Sequence, residues 1–493
     1  MTQTNRLSNI AVLLNAQYRH FFVMLSRELK KRTGADIHLY CNSDDQVRYM
    51  DSISPAGTFA SINDAGVLNR ALEDRNLDAE AVYRRAHDVE TRLDVTINQL
   101  ALTNRHLGRG YSMTGVHHPR SRQSETTSYT HMVHAVVSEV EYWSKQLSER
   151  DIDLVINGGP TVCEVARAQG VPFRSLLGSR TKNLHYWATA CTGENPAVSR
   201  AFHSQAGEES QALLDAPYDS HMSLRTRFLR GTTLTGTVRR IARAIANQVG
   251  WTIRRESKAR QYFLTSIIRH HIRRWRDYRK LQRLATTTLE SLEGVPFVFF
   301  PLQTEPETSL QWMSPEFMYQ HAAIVALSRD LPANVRLVVK DTYEALGRRP
   351  VDFYSQLQDL KNAVLLDPLE LGLKVVEKAS AVATICSTAG FEAAVMGKPV
   401  IVFGRHNVYD FLPHVQVTQD LCDLRGVISK ALAEDFDLNA AKHDGQRFLH
   451  AVTATSFDMR DYDMKDLEKF DPAIVEDSVV NLLAGLEFQN VAA

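Results

Sequence analysis

Ala381-Val382-Ala383-Thr384-Ile385 runs into Cys386-Ser387-Thr388-Ala389-Gly390-Phe391-Glu392-Ala393-Ala394, and after Gly397-Lys398-Pro399 the chain turns apolar again at Val400-Ile401-Val402-Phe403. Short apolar runs bounded by Gly, Pro and small hydroxyl residues read as buried strands, and the segment between these two has the length of one helix. The same rhythm reaches back through Phe297-Val298-Phe299-Phe300, Val335-Arg336-Leu337-Val338-Val339 and Ala363-Val364-Leu365-Leu366. Strands that alternate with helices predict a parallel sheet with right-handed crossovers. Every strand then points the same way. The residue just past each run lies on one common edge, where open α/β folds bind ligands. Those residues are Gln303, Lys340, Asp367, Ser387 and Gly404.

The beginning of the chain repeats the pattern. Ile10-Ala11-Val12-Leu13-Leu14 stops at Asn15, and Phe21, Phe22, Leu25 and Leu29 recur at helical spacing before a stop at Gly34. Residues 36–40 and 153–156 predict two more strands, the second followed by Asn157-Gly158-Gly159-Pro160 and a helix over 161–169. Residues 63–105 look helical and charged. Residues 106–130 look like a long loop, whose His117 and His118 either close over a cleft or are idle.

The whole chain has 493 residues, enough for roughly two to four domains. With 57 basic and 57 acidic residues and 44% hydrophobic content, it is neither disordered nor a wholly basic nucleic-acid coat, and no nucleic-acid partner is expected. Five cysteines without CxxC spacing argue against a zinc knuckle or a disulfide framework and for a reducing compartment. The first nine residues are polar, and no apolar stretch nears the about 20 residues that a membrane span needs. A cytoplasmic protein, peripheral at the inner face of the membrane, is the expectation.

The zero net charge conceals a segregation. Residues 221–285 hold 17 Lys or Arg against only Glu256 and Asp277. Such a block suits an anionic lipid surface or a polyanionic ligand. Within it Val238, Ile241, Ala242, Ile245, Val249 and Ile253 share one helical face, opposite Arg239, Arg240, Arg243, Asn247 and Arg254. Two roles fit this helix: its apolar face packs on a core, or it lies in a membrane interface. The expected division is 1–195 as a first Rossmann-like domain, 196–290 as a basic helical insert, 291–430 as a second Rossmann-like domain, and 431–493 as C-terminal helices packing back on the cleft region.

The stretch Ser387 to Glu392 is the sharpest motif. A strand that ends in hydroxyl residues and Gly and then opens a helix presents free N–H groups and the positive end of the helix dipole to a phosphate. Ser387 and Thr388 either donate to that phosphate or cap the helix, with Gly390 relieving a tight turn. Glu392 either accepts from a ribose or complements the dipole. Lys340 ends a strand with its ammonium along the edge, and Arg348 and Arg349 follow. Gln303 and Glu305 sit in the loop after the first of these strands, where the carboxylate would orient sugar hydroxyls or simply be exposed.

From Phe297 to Tyr409, about a quarter of the chain, the sequence resembles the capsule polysaccharide biosynthesis family of bacterial glycosyltransferases. The likeness rests on Pro301-Leu302-Gln303, Val338-Val339-Lys340, and Ser387 to Ala394 continuing through Gly397-Lys398-Pro399-Val400. It implies an α/β fold of GT-B type, two Rossmann-like domains facing across a cleft with a helical basic insert. The second domain would hold a nucleotide-activated sugar and the first a lipid-linked or oligosaccharide acceptor. CMP-Kdo is among the donors that such a resemblance implies. The family's Lys-x-His-Pro is absent here, where the chain reads Lys340-Asp341-Thr342-Tyr343.

A transferase of this type requires no metal and no cofactor beyond its nucleotide-sugar substrate, because a helix N-terminus and basic groups neutralise the departing phosphate. An inverting route needs a base in the first domain. His20 and Glu164 are the candidates there, and each also fits a purely structural role. The competing classes are a nucleotide-sugar epimerase or polyol-phosphate transferase on the same fold, and an inert scaffold of a capsule assembly complex.

Overall fold

The computed structural model describes residues 7–104, 107, 119–121, 127–181, 183–204, 225–253, 262–305, 307–418, 420–460 and 471–487. His117, His118 and Arg254 lie outside the described residues. The chain forms two compact units. One draws on Met1–Ala101, Ser128–Gln205 and Ala451–Ala493, the other on Leu102–Thr127 and Ala206–His450.

The first unit is built on β1 (Asn9–Leu13), β2 (Asp36–Cys41), β3 (Ser61–Asp64), β4 (Leu154–Ile156), β5 (Phe173–Gly178) and β6 (Leu184–Ala188). They lie in the order β6-β5-β4-β1-β2-β3, parallel except for β5 with β6. Ile10, Ala11 and Val12 are fully buried, as expected for a central strand covered on both faces. Helix α1 (Arg19–Thr33) buries Phe21, Phe22, Leu25 and Leu29 against this sheet, each contributing about 1.5–3 kcal/mol. It stops where expected. Gly34 adopts φ 73°, and its N–H caps the Lys30 carbonyl. Two further helices shape the edge of the sheet, α2 (Tyr129–Glu149) and α3 (Pro160–Ala168).

The second unit includes the basic helices α4 (Leu234–Ile253) and α5 (Leu264–Leu284). Its sheet comprises β7 (Phe297–Pro301), β8 (Arg336–Lys340), β9 (Ala363–Leu365), β10 (Ala381–Thr384), β11 (Val400–Val402) and β12 (Val415–Val417). All pairings are parallel, in the order β12-β11-β10-β7-β8-β9. Counted within the unit this is 3-2-1-4-5-6 read from β9, the doubly wound order whose direction reverses between β7 and β10. Helix α6 (Thr388–Val395) follows β10. The arginine-rich α5 is part of this unit's packing, since Tyr278 and Leu281 join the core cluster of the sheet. Arg274 donates to the Leu346 carbonyl at 2.9 Å, and Gly347, at φ 71°, has no room for a Cβ against the Arg274 carbonyl.

After residue 450 the chain returns to the first unit. Strand β13 (Phe457–Asp458) pairs antiparallel with β6, and α7 (Pro472–Glu487) places Ile474, Val475, Val479 and Leu482 in the core around α1. Trp187 Nε1 donates to the Ser478 carbonyl at 2.9 Å. The stretch 431–493 therefore divides: residues up to 450 go with the second unit and the rest with the first. Two α/β units on mainly parallel sheets are the composition that the resemblance implies.

Candidate functional site

Each sheet reverses its winding once, and the crevice at that reversal is where doubly wound folds bind ligands. In the second unit the reversal lies between the loop after β7 and the loop after β10. Gln303 and Cys386 meet across it, Gln303 Nε2 lying 3.2 Å from Cys386 Sγ.

A buried ionic network extends from there. Arg349 is 0% exposed, pairs with the Glu305 carboxylate, donates to the Gln303 carbonyl, and has Nε 3.4 Å from Asp341 Oδ1. Gln320 accepts from the Gln303 N–H at 2.8 Å and donates to the Gln303 carbonyl at 3.1 Å and to Glu305. Tyr354 donates its hydroxyl to Asp341. Burial alone disfavours the guanidinium charge of Arg349, but the carboxylates of Glu305 and Asp341 outweigh it and hold the group protonated. Glu305, expected to meet sugar hydroxyls, is 2% exposed and spends its carboxylate inside this network.

Lys340, at the end of β8, is also drawn inward. Its Nζ donates to the Asp341 carbonyl at 3.0 Å and sits 4.5 Å from the centroid of the Tyr343 ring. Burial lowers its pKa to about 8, partly opposed by Asp341, Asp367 and Glu370. Ser387 caps α6, its side chain accepting from the Gly390 N–H at 3.3 Å, and its hydroxyl oxygen accepts from Thr384 at 2.7 Å. Gly390 is packed rather than open: a Cβ there would collide with the Tyr409 hydroxyl and lie 2.6 Å from Thr384 Cγ2. Glu392 is buried on the same helix, whereas Thr388, in the first turn, is exposed. Gln303, Glu305, Arg349 and Asp341 thus form one cluster, with Ser387, Thr388 and Gly390 on the other side of the switch point.

In the first unit the carboxyl edge is open. A cavity of about 450 Å³ lies at the ends of β1, β2, β4 and β5, with Asn15, Asn42, Glu139, Asn157, Thr161 and Ser175 supplying its polar wall. It is centred on the reversal between β1 and β4. Asn157 takes φ 64° and Gly158 φ 133°, and Gly158 is fixed as glycine because a Cβ would collide with Val162 and lie 3.0 Å from Leu13 Cδ2. Thr161 Oγ1 donates to Glu139 Oε2 at 3.2 Å.

His20 and Glu164 do not line this cavity. His20 is buried at the start of α1, and Glu164 is held by Arg167 at 2.7 Å. Glu139 stands in mid-helix on α2 without a flanking motif to mark it in the sequence. The neighbouring Asn157-Gly158-Gly159-Pro160 was the available signal. Among the described residues, Cys163, Glu164 and Cys191 bring potential metal-ligand atoms within 4.8 Å of one another, with the Cys191 N–H donating to Cys163 Sγ at 3.2 Å. Glu164 in that group is already paired with Arg167.

With two mainly parallel α/β units established, the family likeness has a structural frame. The family model described as "Capsule polysaccharide biosynthesis protein" matches residues 217–416, a stretch that falls within the second unit. No curated protein matches the chain at a significant level. Among solved structures, Thermosulfurimonas dismutans KpsC, beta Kdo 2,4 transferase, aligns at 13% identity over 60% of this chain and 79% of its own, with a TM-score of 0.30. The beta Kdo 2,7 transferase of the same organism's KpsC aligns at 14% over 70% and 88%, with a TM-score of 0.31. Methanocaldococcus jannaschii UDP-GlcNAc 2-epimerase aligns at 9% over 90% and 99%, with a TM-score of 0.25. Likenesses at these scores add nothing to the functional reading.

Proposed function

We propose that the protein is a capsule or surface polysaccharide glycosyltransferase that moves a sugar from a nucleotide-activated donor, CMP-Kdo among the candidates, to a lipid-linked or glycan acceptor. The observation that carries this reading is the 3-2-1-4-5-6 sheet whose switch point, flanked by Gln303 and by Ser387 to Gly390, lies inside the family-matched segment. The nucleotide phosphate would rest against the first turn of α6, with exposed Thr388 as a hydroxyl donor. In the transfer an acceptor oxygen bonds to the anomeric carbon while the bond from that carbon to the phosphate oxygen breaks. The electron pair leaves with the nucleotide, and the hydroxyl proton passes to a base.

A membrane-bound acceptor agrees with the basic helices. On α4, Leu234, Val238, Ile245, Val249 and Ile253 are 55%, 58%, 42%, 52% and 76% exposed, flanked by exposed Arg239 and Arg243. On α5 the lining of a groove of about 740 Å³ includes Arg269, Arg273, Arg276 and Lys280, with Asp277 as its one carboxylate, and apolar Ile268 and Ile272. Apolar residues beside cations suit the anionic face of a bilayer. Among the described residues no helix is long and apolar enough to cross a membrane. A second reading, an inert scaffold, is favoured by the withdrawal of Lys340 onto the Asp341 carbonyl.

A thermal-shift screen against CMP, UDP, GDP and their sugars tests the first reading. One nucleotide family should raise the melting temperature of the wild type, with the shift lost in Thr388→Val. Absence of any shift would remove the donor site and leave the scaffold.

A further inference from the structure

We propose that the cavity at the carboxyl edge of the first sheet binds a neutral, hydroxyl-rich ligand, a saccharide, through Asn157, Thr161 and Glu139. Its identity as the sugar acceptor rests on the transferase reading; its chemistry as a saccharide site does not.

The cavity sits where the winding of the sheet reverses, and its volume of about 450 Å³ falls in the ordinary range for small-molecule sites. Asn157 points to a missing partner. It lines the cavity, is 6% exposed, and uses Oδ1 to accept from the Leu176 N–H at 3.1 Å, while its Nδ2 finds no acceptor in the protein. A buried amide donor left in that state is costly, and a ligand oxygen would relieve it. Its left-handed backbone, φ 64°, is a conformation that proteins concentrate at functional sites.

The charges then select the class of ligand. Among the described residues Glu139 is the one charged group lining the cavity. Its carboxylate lies at the start of α3, bonded to Thr161 Oγ1 at 3.2 Å. An anion arriving at that helix end would meet this carboxylate, and among the described residues lining the cavity no lysine or arginine. A phosphate carries negative charge that this carboxylate repels, whereas an uncharged sugar hydroxyl donates to Glu139 and accepts from Asn157 Nδ2 at the same time. Leu13, Leu177 and Val162 complete the wall with apolar surface suited to the C–H face of a pyranose.

The test is saturation-transfer NMR on the full chain with methyl glycosides of neutral pyranoses, and with inorganic phosphate as the competing anion. Glycoside signals are expected, unaffected by phosphate. Glu139→Gln keeps an oxygen for Thr161, and Asn157→Asp keeps both the acceptor for Leu176 and tolerance of positive φ. Each should weaken glycoside affinity roughly tenfold. Nucleotide thermal shifts should persist in both variants. If Asn157→Asp does not fold, Glu139→Gln carries the test alone. Absence of glycoside binding, displacement by phosphate, or unchanged affinity in the folded variants would overturn the inference. Its failure with nucleotide shifts intact would leave the transferase reading standing. Glycoside binding without any nucleotide shift would do the reverse.

Discussion

Two sheets wound the same way end in edges of opposite character. At the second sheet the switch point is backed by Arg349, Glu305, Asp341 and Gln320, all buried and bonded to one another. At the first it opens into a cavity walled by neutral amides and hydroxyls and one carboxylate. Topology fixes where a ligand site falls, and the side chains decide what it receives. A rim organised by buried charge is stiff and suits a phosphate held at a helix end. A rim of neutral donors and acceptors suits a sugar.

The sharpest way to break this contrast is to remove the cation that organises the second edge. Arg349→Met leaves Glu305 and Asp341 buried without their partner, and urea denaturation should show a loss of about 3–5 kcal/mol. The isosteric Glu139→Gln at the first edge should cost within about 0.5 kcal/mol. Equal losses would contradict a structural role for one and a binding role for the other.

Lys340 gives the next effect, with a pH signature. Burial lowers its pKa from the ordinary lysine value of 10.5 to about 8. Between these values the unfolded chain binds a proton that the folded chain lacks, so stability gains with rising pH in that window and the cost of burying the charge is constant below it. Relative to Lys340→Met, the wild type should gain stability between pH 8 and 10.5, by at most about 1.4 kcal/mol per pH unit. A difference independent of pH would place the ammonium in water. The smallest effect concerns α4. Val249→Asp with Ile253→Asp should leave stability nearly unchanged, because both residues are exposed, yet abolish flotation with phosphatidylglycerol vesicles. Flotation that survives would assign this face to another partner.

The second sheet was readable from its sequence almost strand by strand, because each core strand is a continuous apolar run with helical spacing between. Only β12 escaped. Its three residues include Gln416 and follow Pro413-His414, so no run forms. The first sheet hid β5 for a related reason. Arg174 lies inside it, fully buried and donating to the Phe173 carbonyl at 2.7 Å, which interrupts the apolar pattern. The apolar face of α4 was visible on a helical wheel, but a wheel does not say what covers a face, and here Val238 and Ile253 are left to solvent. Lys340 and Glu305 were recognisable as edge residues. Their turning inward depends on Arg349 and Tyr343, whose positions no local pattern specifies. The cavity of the first unit was beyond local reading, since Asn15, Glu139, Asn157 and Ser175 come from four separate segments.

Hydrogen–deuterium exchange with and without CMP-, UDP- and GDP-sugars bears most directly on the division of labour between the two edges. The donor that binds should protect amides around residues 302–305 and 385–392 and leave 157–162 unchanged. Protection at 157–162 instead, or at neither edge with any nucleotide sugar, would contradict it.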